Sequence, residues 1–152
     1  MKNFLLILAF GFTTISFAQD ANAPRADVPF AVIDRVPIYL GCTGTDNEVL
    51  KKCMSENISA FINQHFNMKK MEALNLPPKI YRTAVQFKID KYGNVVDVQA
   101  SADRAEIEAE AERVVSNLPK MIPGEHRGKR VGVLYSLPII FKIEPPKRMR
   151  KN

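Results

Sequence analysis

Two runs of alternating apolar and polar residues meet at a tight turn near the middle of the chain. Every second residue is apolar in 85–89, and the same alternation returns in 96–100. A period of two indicates β-strands with one buried face. Gly93, in the turn between the runs, supplies the positive φ that a tight connection needs. Residues 82–101 are therefore predicted to form a β-hairpin.

A helix is predicted before the hairpin. Apolar residues recur at intervals of three and four through residues 46–66, which is typical of an amphipathic helix. Thr45 is the expected N-terminal cap, because Glu48 follows it at the spacing of a capping box. Residues 68–74 are expected to add a short helical segment, which the prolines at 77–78 end.

A second helix is predicted after the hairpin, in residues 103–118, with Asp103 as its cap and Glu106 at the capping-box position. Four glutamates lie on its polar side, and they are Glu106, Glu108, Glu110 and Glu112. Alternate residues of a helix point in different directions, so only pairs four residues apart are neighbours. We therefore expect an exposed acidic face here, and no metal or acid–base site.

The longest alternation lies near the C-terminus. Its apolar positions are Val131, Val133, Tyr135, Leu137, Ile139 and Phe141. The run also contains Pro138, and because proline has no N–H for a β-ladder, the strand is expected at a sheet edge or bulged near this residue. An edge strand can accept another chain as an added strand. The six apolar residues are therefore the candidate peptide-binding strand.

Together these elements predict an α+β fold. A small antiparallel sheet, made of the hairpin and the long final edge strand, packs against two amphipathic helices. The chain has 152 residues, of which 46% are hydrophobic, so it is long enough for one core but too short for two domains and a linker. The domain is expected at residues 35–144, followed by a basic, disordered tail at 145–152.

The N-terminus has the pattern of a signal peptide in residues 1–18. Lys2 precedes an apolar run, and small residues precede a cleavage site after Ala18. The run falls short of the ~20 apolar residues that span a bilayer, although retention as a membrane anchor is the alternative. Residues 19–34 would then form an extended leader. A periplasmic or secreted location follows.

The chain contains two cysteines, Cys42 and Cys53. In an exported protein a disulfide between them is the default expectation. Their spacing is not that of a C-x-x-C redox motif, so a structural bond is favoured over a redox-active pair.

Residues that could carry chemistry are sparse. The two histidines, His65 and His126, do not combine with the cysteines at the spacing of a compact zinc site. No glycine-rich phosphate loop, nucleophile elbow or Cys–His pair is recognisable. The sequence therefore predicts no catalytic residue, no metal and no cofactor.

The net charge of +6, from 22 basic and 16 acidic residues, is modest and is concentrated in the C-terminal tail. A solvated tail is the expected interpretation. The alternative function that the tail offers is that of a structural envelope protein which binds peptidoglycan or lipid. Nucleic acid is not an expected partner of an exported chain.

Four segments resemble the C-terminal domain of TonB-type energy transducers. They are VPIYLGC at 36–42, VQFKIDKYGNVVDVQA at 85–100, AEAERVVSNLPKMIPG at 109–124 and RVGVLYSLPIIFKI at 130–143. The family pattern is a proline–tyrosine segment, a hairpin with aspartate and glycine at its turn, an amphipathic helix, a proline–glycine exit and a last strand ending in Pro-x-x-Phe. The resemblance covers residues 35–144 and is specific as a combination.

This resemblance implies a periplasmic α+β domain without a metal or cofactor. In transducers of the family the last strand pairs with an extended segment of outer-membrane receptors, the TonB box. Here the pairing strand would be residues 131–141, and the partner would be a TonB-box-like peptide segment of an outer-membrane or envelope protein. A homodimer formed through the same edge is a further expectation.

The chain departs from a full transducer in its N-terminal part. A cleaved signal peptide would leave no anchor, and the leader reaches at most about 60 Å, where a transducer has a long proline-rich spacer. The resemblance therefore favours strand binding over energy transduction, for which residues 4–18 would have to be retained in the membrane.

Overall fold

The computed structural model describes residues 27–145. The strands are β1 (Val28–Pro29), β2 (Ile80–Ile89), β3 (Val95–Ser101), β4 (Glu125–His126), β5 (Lys129–Arg130) and β6 (Val133–Lys142). The α-helices are α1 (Asn47–His65), α2 (Met68–Ala73) and α3 (Ala105–Ser116), and Phe30–Val32 is a 3-10 helix. The expected signal peptide at 1–18, the leader as far as residue 26, and the tail from residue 146 lie outside the described residues.

Four strands form one sheet in the order β1–β6–β2–β3, and β4 pairs with β5 as a separate small hairpin. The expected α+β class is confirmed. The sheet is mixed instead of antiparallel, because β1 joins it parallel to β6. Residues of α1 and α3 pack on one face of the sheet, where Phe87 and Tyr135 are part of the main core cluster.

The predicted hairpin is confirmed, and Asp90 organises its turn. Asp90 Oδ1 accepts hydrogen bonds from the backbone N–H groups of Tyr92, at 2.8 Å, and Asn94, at 2.9 Å. Partial burial acts to raise the pKa of Asp90, but the hydrogen bonds from Asn94 and Tyr92 outweigh it and lower the pKa. Gly93 has φ +88°. Its carbonyl accepts from the N–H of Met121 at 2.9 Å, so the turn is tied to the segment after α3.

The predicted helix at 46–66 is confirmed as α1, but its expected cap is wrong. Asp46 and not Thr45 directly precedes the first helical residue, and its Oδ1 accepts from the N–H groups of Glu48 (2.8 Å) and Val49 (3.0 Å). The buried stripe of the helix consists of Leu50, Met54, Ile58 and Ile62. The short helical segment expected at 68–74 is confirmed as α2.

The second predicted helix is confirmed as α3, and its expected cap is also wrong. Arg104 occupies the cap position, and its side chain makes no capping hydrogen bond. The carboxylate of Asp103 instead pairs with Lys79 Nζ at 2.8 Å, and Glu106 pairs with Arg104 at 3.3 Å. Both acidic groups therefore bind cations, and neither caps the helix in the way that the sequence predicts.

The expectation that Glu110 lies on an exposed acidic face is wrong. Its side chain is only 1% exposed, because the start of α2 packs against this side of α3. Glu110 accepts hydrogen bonds from the N–H of Asn67 at 3.0 Å and from Arg113 Nε at 3.1 Å, and Lys70 Nζ lies 3.6 Å away. Burial acts to raise the pKa of Glu110, but the hydrogen bonds from Arg113 and Asn67 outweigh it and lower the pKa.

The segment between β1 and α1 crosses the end of the sheet as an extended arm. Arg35 and Glu125 donate backbone hydrogen bonds to each other, and so do Ile38 and Ile122, with N···O distances of 2.9–3.0 Å. The predicted disulfide between Cys42 and Cys53 is confirmed, and it joins the end of this arm to α1. Residues 28–34, which the sequence assigns to the leader, therefore belong to the folded domain. Ile33 is buried in one cluster with Val131 and Val133.

Candidate functional site

The final strand β6 uses one of its edges completely. β2 pairs with it from Val133, opposite Ile89, to Lys142, opposite Ile80. Just beyond this ladder the N–H of Ile143 donates to the carbonyl of Lys79 at 3.0 Å. Since backbone groups alternate in direction along a strand, the odd-numbered residues of β6 bond to β2 and the even-numbered residues point to the other edge.

That other edge is covered only at its start. β1 pairs there with Val133 and Leu134, and the N–H of Val28 donates to the carbonyl of Gly132 at 2.8 Å. The chain then forms the 3-10 helix, in which the Phe30 ring packs 4.7 Å from the Tyr135 ring, and within the described residues no other strand lies on this edge. An unpaired edge therefore extends over residues 136–142, and we call it the open edge.

The open edge presents the backbone groups of four residues. Ser136, Ile140 and Lys142 direct N–H and C=O groups outward, whereas Pro138 offers only its carbonyl. Pro138 continues the ladder with β2 in register with Ala84, so the strand is not bulged here. The expectation of an edge strand is met only in part, because β1 pairs with Val133 and Leu134 and so places the start of β6 between two strands.

The candidate residues chosen from the sequence have side chains that point towards the helices, and their backbone groups point towards β2. Val133, Tyr135, Ile139 and Phe141 are buried on the helix-bearing face, Leu137 is half-buried, and Val131 is buried just before the strand. The Tyr135 hydroxyl lies 2.8 Å from the Ser55 hydroxyl of α1. These side chains position the strand, while the groups free to pair with a partner belong to the even-numbered residues.

Sequence reasoning missed Ser136, Ile140 and Lys142, although the chain contains a sign of them. A proline within a ladder must direct its missing N–H away from the neighbouring strand. Because Pro138 is even-numbered, the even-numbered residues of the strand are those whose backbone groups point away from β2, and this follows from the sequence alone.

α1 runs along the inner side of this edge. Ser55 contacts Tyr135 near one end, and the rings of Phe66 and Phe141 lie 5.2 Å apart near the other. On the opposite face of the sheet, the side chains of Leu134 and Ile140 are 47% and 48% exposed. A strand added at the open edge would therefore have a helix beside one face and exposed apolar side chains beside the other.

At the second edge of the sheet, on β3, side chains of α3 bind two backbone N–H groups near the end of the strand. Glu112 Oε1 accepts from the N–H of Ala100 at 3.0 Å, and Glu108 Oε1 accepts from the N–H of Ala102 at 2.9 Å. Asp97, with φ +53°, lies where the pairing of β2 with β3 is irregular. Covering and bending an edge are recognised ways of preventing strand addition. The two edges of this sheet therefore differ, because side chains bind N–H groups at one edge and most of the other is unpaired.

Among residues 27–145 no three His, Cys, Asp or Glu side chains are grouped as metal ligands would be. Both cysteines are bonded to each other, and His126 Nδ1 lies 3.2 Å from Asp34 Oδ2 in the arm. None of the helices in this stretch has the length and apolar character needed to cross a membrane.

Comparison with family models, with curated proteins and with solved structures found no match to this chain. The likeness to the TonB C-terminal domain therefore rests on the four segments and their order.

Proposed function

We propose that this protein is a strand-addition module of the cell envelope, similar to the TonB C-terminal domain, which captures an extended peptide segment of an envelope or outer-membrane protein. The observation that carries the proposal is the asymmetry of the sheet. Glutamates of α3 bind two N–H groups at one edge, while residues 136–142 have no strand partner at the other. An uncovered edge is a template for backbone pairing with another chain.

The chain itself provides an example of this pairing. β1 occupies the start of the same edge with two residues, and its Val28 N–H donates to Gly132. A partner strand would continue beyond β1 and bond to the outward groups of Ser136, Ile140 and Lys142. The disulfide supports an oxidising compartment, which agrees with an envelope location.

The proposal is tested by removing one outward N–H. Ile140→Pro deletes a donor that faces the open edge, and Pro138 shows that the strand accommodates proline at an outward position. Loss of this hydrogen bond, with the partner carbonyl left unpaired, should weaken capture at least about fivefold. The matched control Ile140→Val keeps the donor and should bind as the unaltered protein does.

The partner can be identified by a photo-crosslinking side chain placed at Ser136 in the native envelope, since Ser136 is exposed at the open edge whereas Tyr135 faces the core. We expect a crosslink to one envelope protein that Ile140→Pro abolishes and Ile140→Val retains. Equal crosslinking in both variants would contradict strand addition. A crosslink only to a second copy of the chain would replace the separate partner with a homodimer.

A further inference from the structure

A cavity of about 600 Å³ lies beside the point where the open edge begins. It lies on the sheet face that does not contact α1 and α3. The residues at the end of β1 and the start of the 3-10 helix form one side of it. Ser136 lines this cavity and is also the first residue of the open edge. The cavity therefore adjoins the path that an added strand would follow.

Strand register connects the cavity to a partner residue. Ser136 is in register with Gln86, and Gln86 is in register with Gln99, so three lining residues form one row across the sheet. Residues in register place their side chains on the same face. A strand added at the open edge would extend this row by one residue, whose side chain would lie over the small side chain of Ser136 and beside the cavity.

The lining combines apolar and neutral polar groups. Pro29, Ala31 and Leu134 provide apolar surface, and the two glutamine side chains provide amide donors and acceptors. The one lining cation, Lys88, already has two carboxylate partners, Asp97 at 2.7 Å and Asp27 at 3.4 Å. An acidic side chain would thus enter a site with more negative than positive charge, whereas an apolar ring with a polar end would match the lining.

We infer that this cavity is a side-chain subsite of the open edge, and that it receives a tyrosine or tryptophan of the partner strand at the position opposite Ser136. The inference rests on the proposed function, since the subsite has a role only when a strand is added. Backbone pairing supplies binding without selectivity, and a pocket beside the edge selects which segment binds.

The test is a selection from a phage-displayed library of random nine-residue peptides, performed on four forms of the full chain with its disulfide intact. These are the unaltered protein, Gln86→Trp, Arg82→Trp and Ile140→Pro. Gln86→Trp fills the cavity without changing β6. Arg82→Trp is its matched control, since Arg82 is an exposed residue on the same face of β2, about 13 Å from Gln86.

On the unaltered protein and on Arg82→Trp, we expect peptides enriched about tenfold in tyrosine or tryptophan at one fixed position, in keeping with ~1.4 kcal/mol per tenfold change in binding. On Gln86→Trp this enrichment should be lost, while extended peptides are still selected. Equal aromatic enrichment on Gln86→Trp, or none on the unaltered protein, would overturn the subsite alone. Selection of the same peptides on Ile140→Pro would overturn the proposed function as well.

Discussion

Gly93 and Gly128 have positive φ, of +88° and +69°, yet their surroundings differ. A Cβ added at Gly93 would lie 1.8 Å from the carbonyl oxygen of Met121, whereas one at Gly128 would meet no atom within 4 Å. Gly93 therefore serves both the turn between β2 and β3 and its close approach to the segment that follows α3. The absence of a side chain at Gly93 thus allows the turn and the segment around Met121 to come into contact.

Gly93→Ala and Gly128→Ala separate these two effects. Each should lose about 1–2 kcal/mol for the left-handed backbone, and Gly93→Ala should lose about 1–3 kcal/mol more because backbone atoms must move. Denaturant unfolding with the disulfide intact measures both. Similar losses in the two variants would show that the approach of Met121 does not constrain Gly93.

At the scale of elements, α3 protects the sheet as well as covering its core. Glu108 and Glu112, four residues apart on the helix, accept from two N–H groups at the edge of β3. The acidic side of α3 is therefore only partly a solvated face, because Glu110 is buried and these two glutamates bond to the sheet. Its companion element β6 carries no such cover over 136–142.

Removing both glutamates should open the second edge. The double variant Glu108→Ala, Glu112→Ala leaves the N–H groups of Ala100 and Ala102 without their carboxylates, so we expect self-association that increases with concentration. Analytical ultracentrifugation over a range of concentrations measures it against the unaltered protein. Glu106→Ala, which removes only the exposed pair with Arg104, is the control. If the double variant sediments as this control does, the carboxylates do not protect the edge.

For the molecule as a whole, acid should be destabilising. Among residues 27–145, the pKa is lowered in the folded protein at four carboxyl groups, which are Asp90, Glu106, Glu110 and Glu144. A group whose pKa is lowered by folding stabilises the protein above its unfolded value, about 3.9 for Asp and 4.3 for Glu, and this contribution is lost as the pH falls through the folded value. Stability should thus be constant near neutral pH and decline below about pH 5.

Glu110 should account for more of this decline than the exposed groups. Glu110→Gln leaves Arg113 and Lys70 without their buried partner, so we expect a loss of about 2 kcal/mol at neutral pH and a shallower fall in acid. Glu144→Gln, which removes an exposed pair with Lys142, should change both quantities much less than Glu110→Gln does, because solvent screens an exposed pair. The measurement is the unfolding free energy of each variant between about pH 3 and pH 7, compared with its value at ~pH 7. An unchanged acid slope in Glu110→Gln would refute it.

Several elements could be predicted from the sequence because their signals are local. Periodicity located the hairpin, α1, α3 and β6, and export with two cysteines predicted the disulfide. Both expected caps were wrong, since capping-box spacing does not show which neighbouring acidic group reaches the free N–H groups. Among the candidate site residues, apolar alternation selected the side chains that hold β6 in place, and thereby omitted Ser136, Ile140 and Lys142.

The sequence by itself determined the apolar faces that are buried and predicted an unpaired side of β6 near Pro138, because a repeat of two or of about four residues and a proline without an N–H act within one element. Only the tertiary structure decided how the edges differ. Three features depend on residues far apart in the chain: where the pairing of β1 with β6 ends, whether Glu108 and Glu112 reach β3, and whether a cavity forms beside Ser136. Such contacts follow from how elements pack against each other, and no local pattern encodes them.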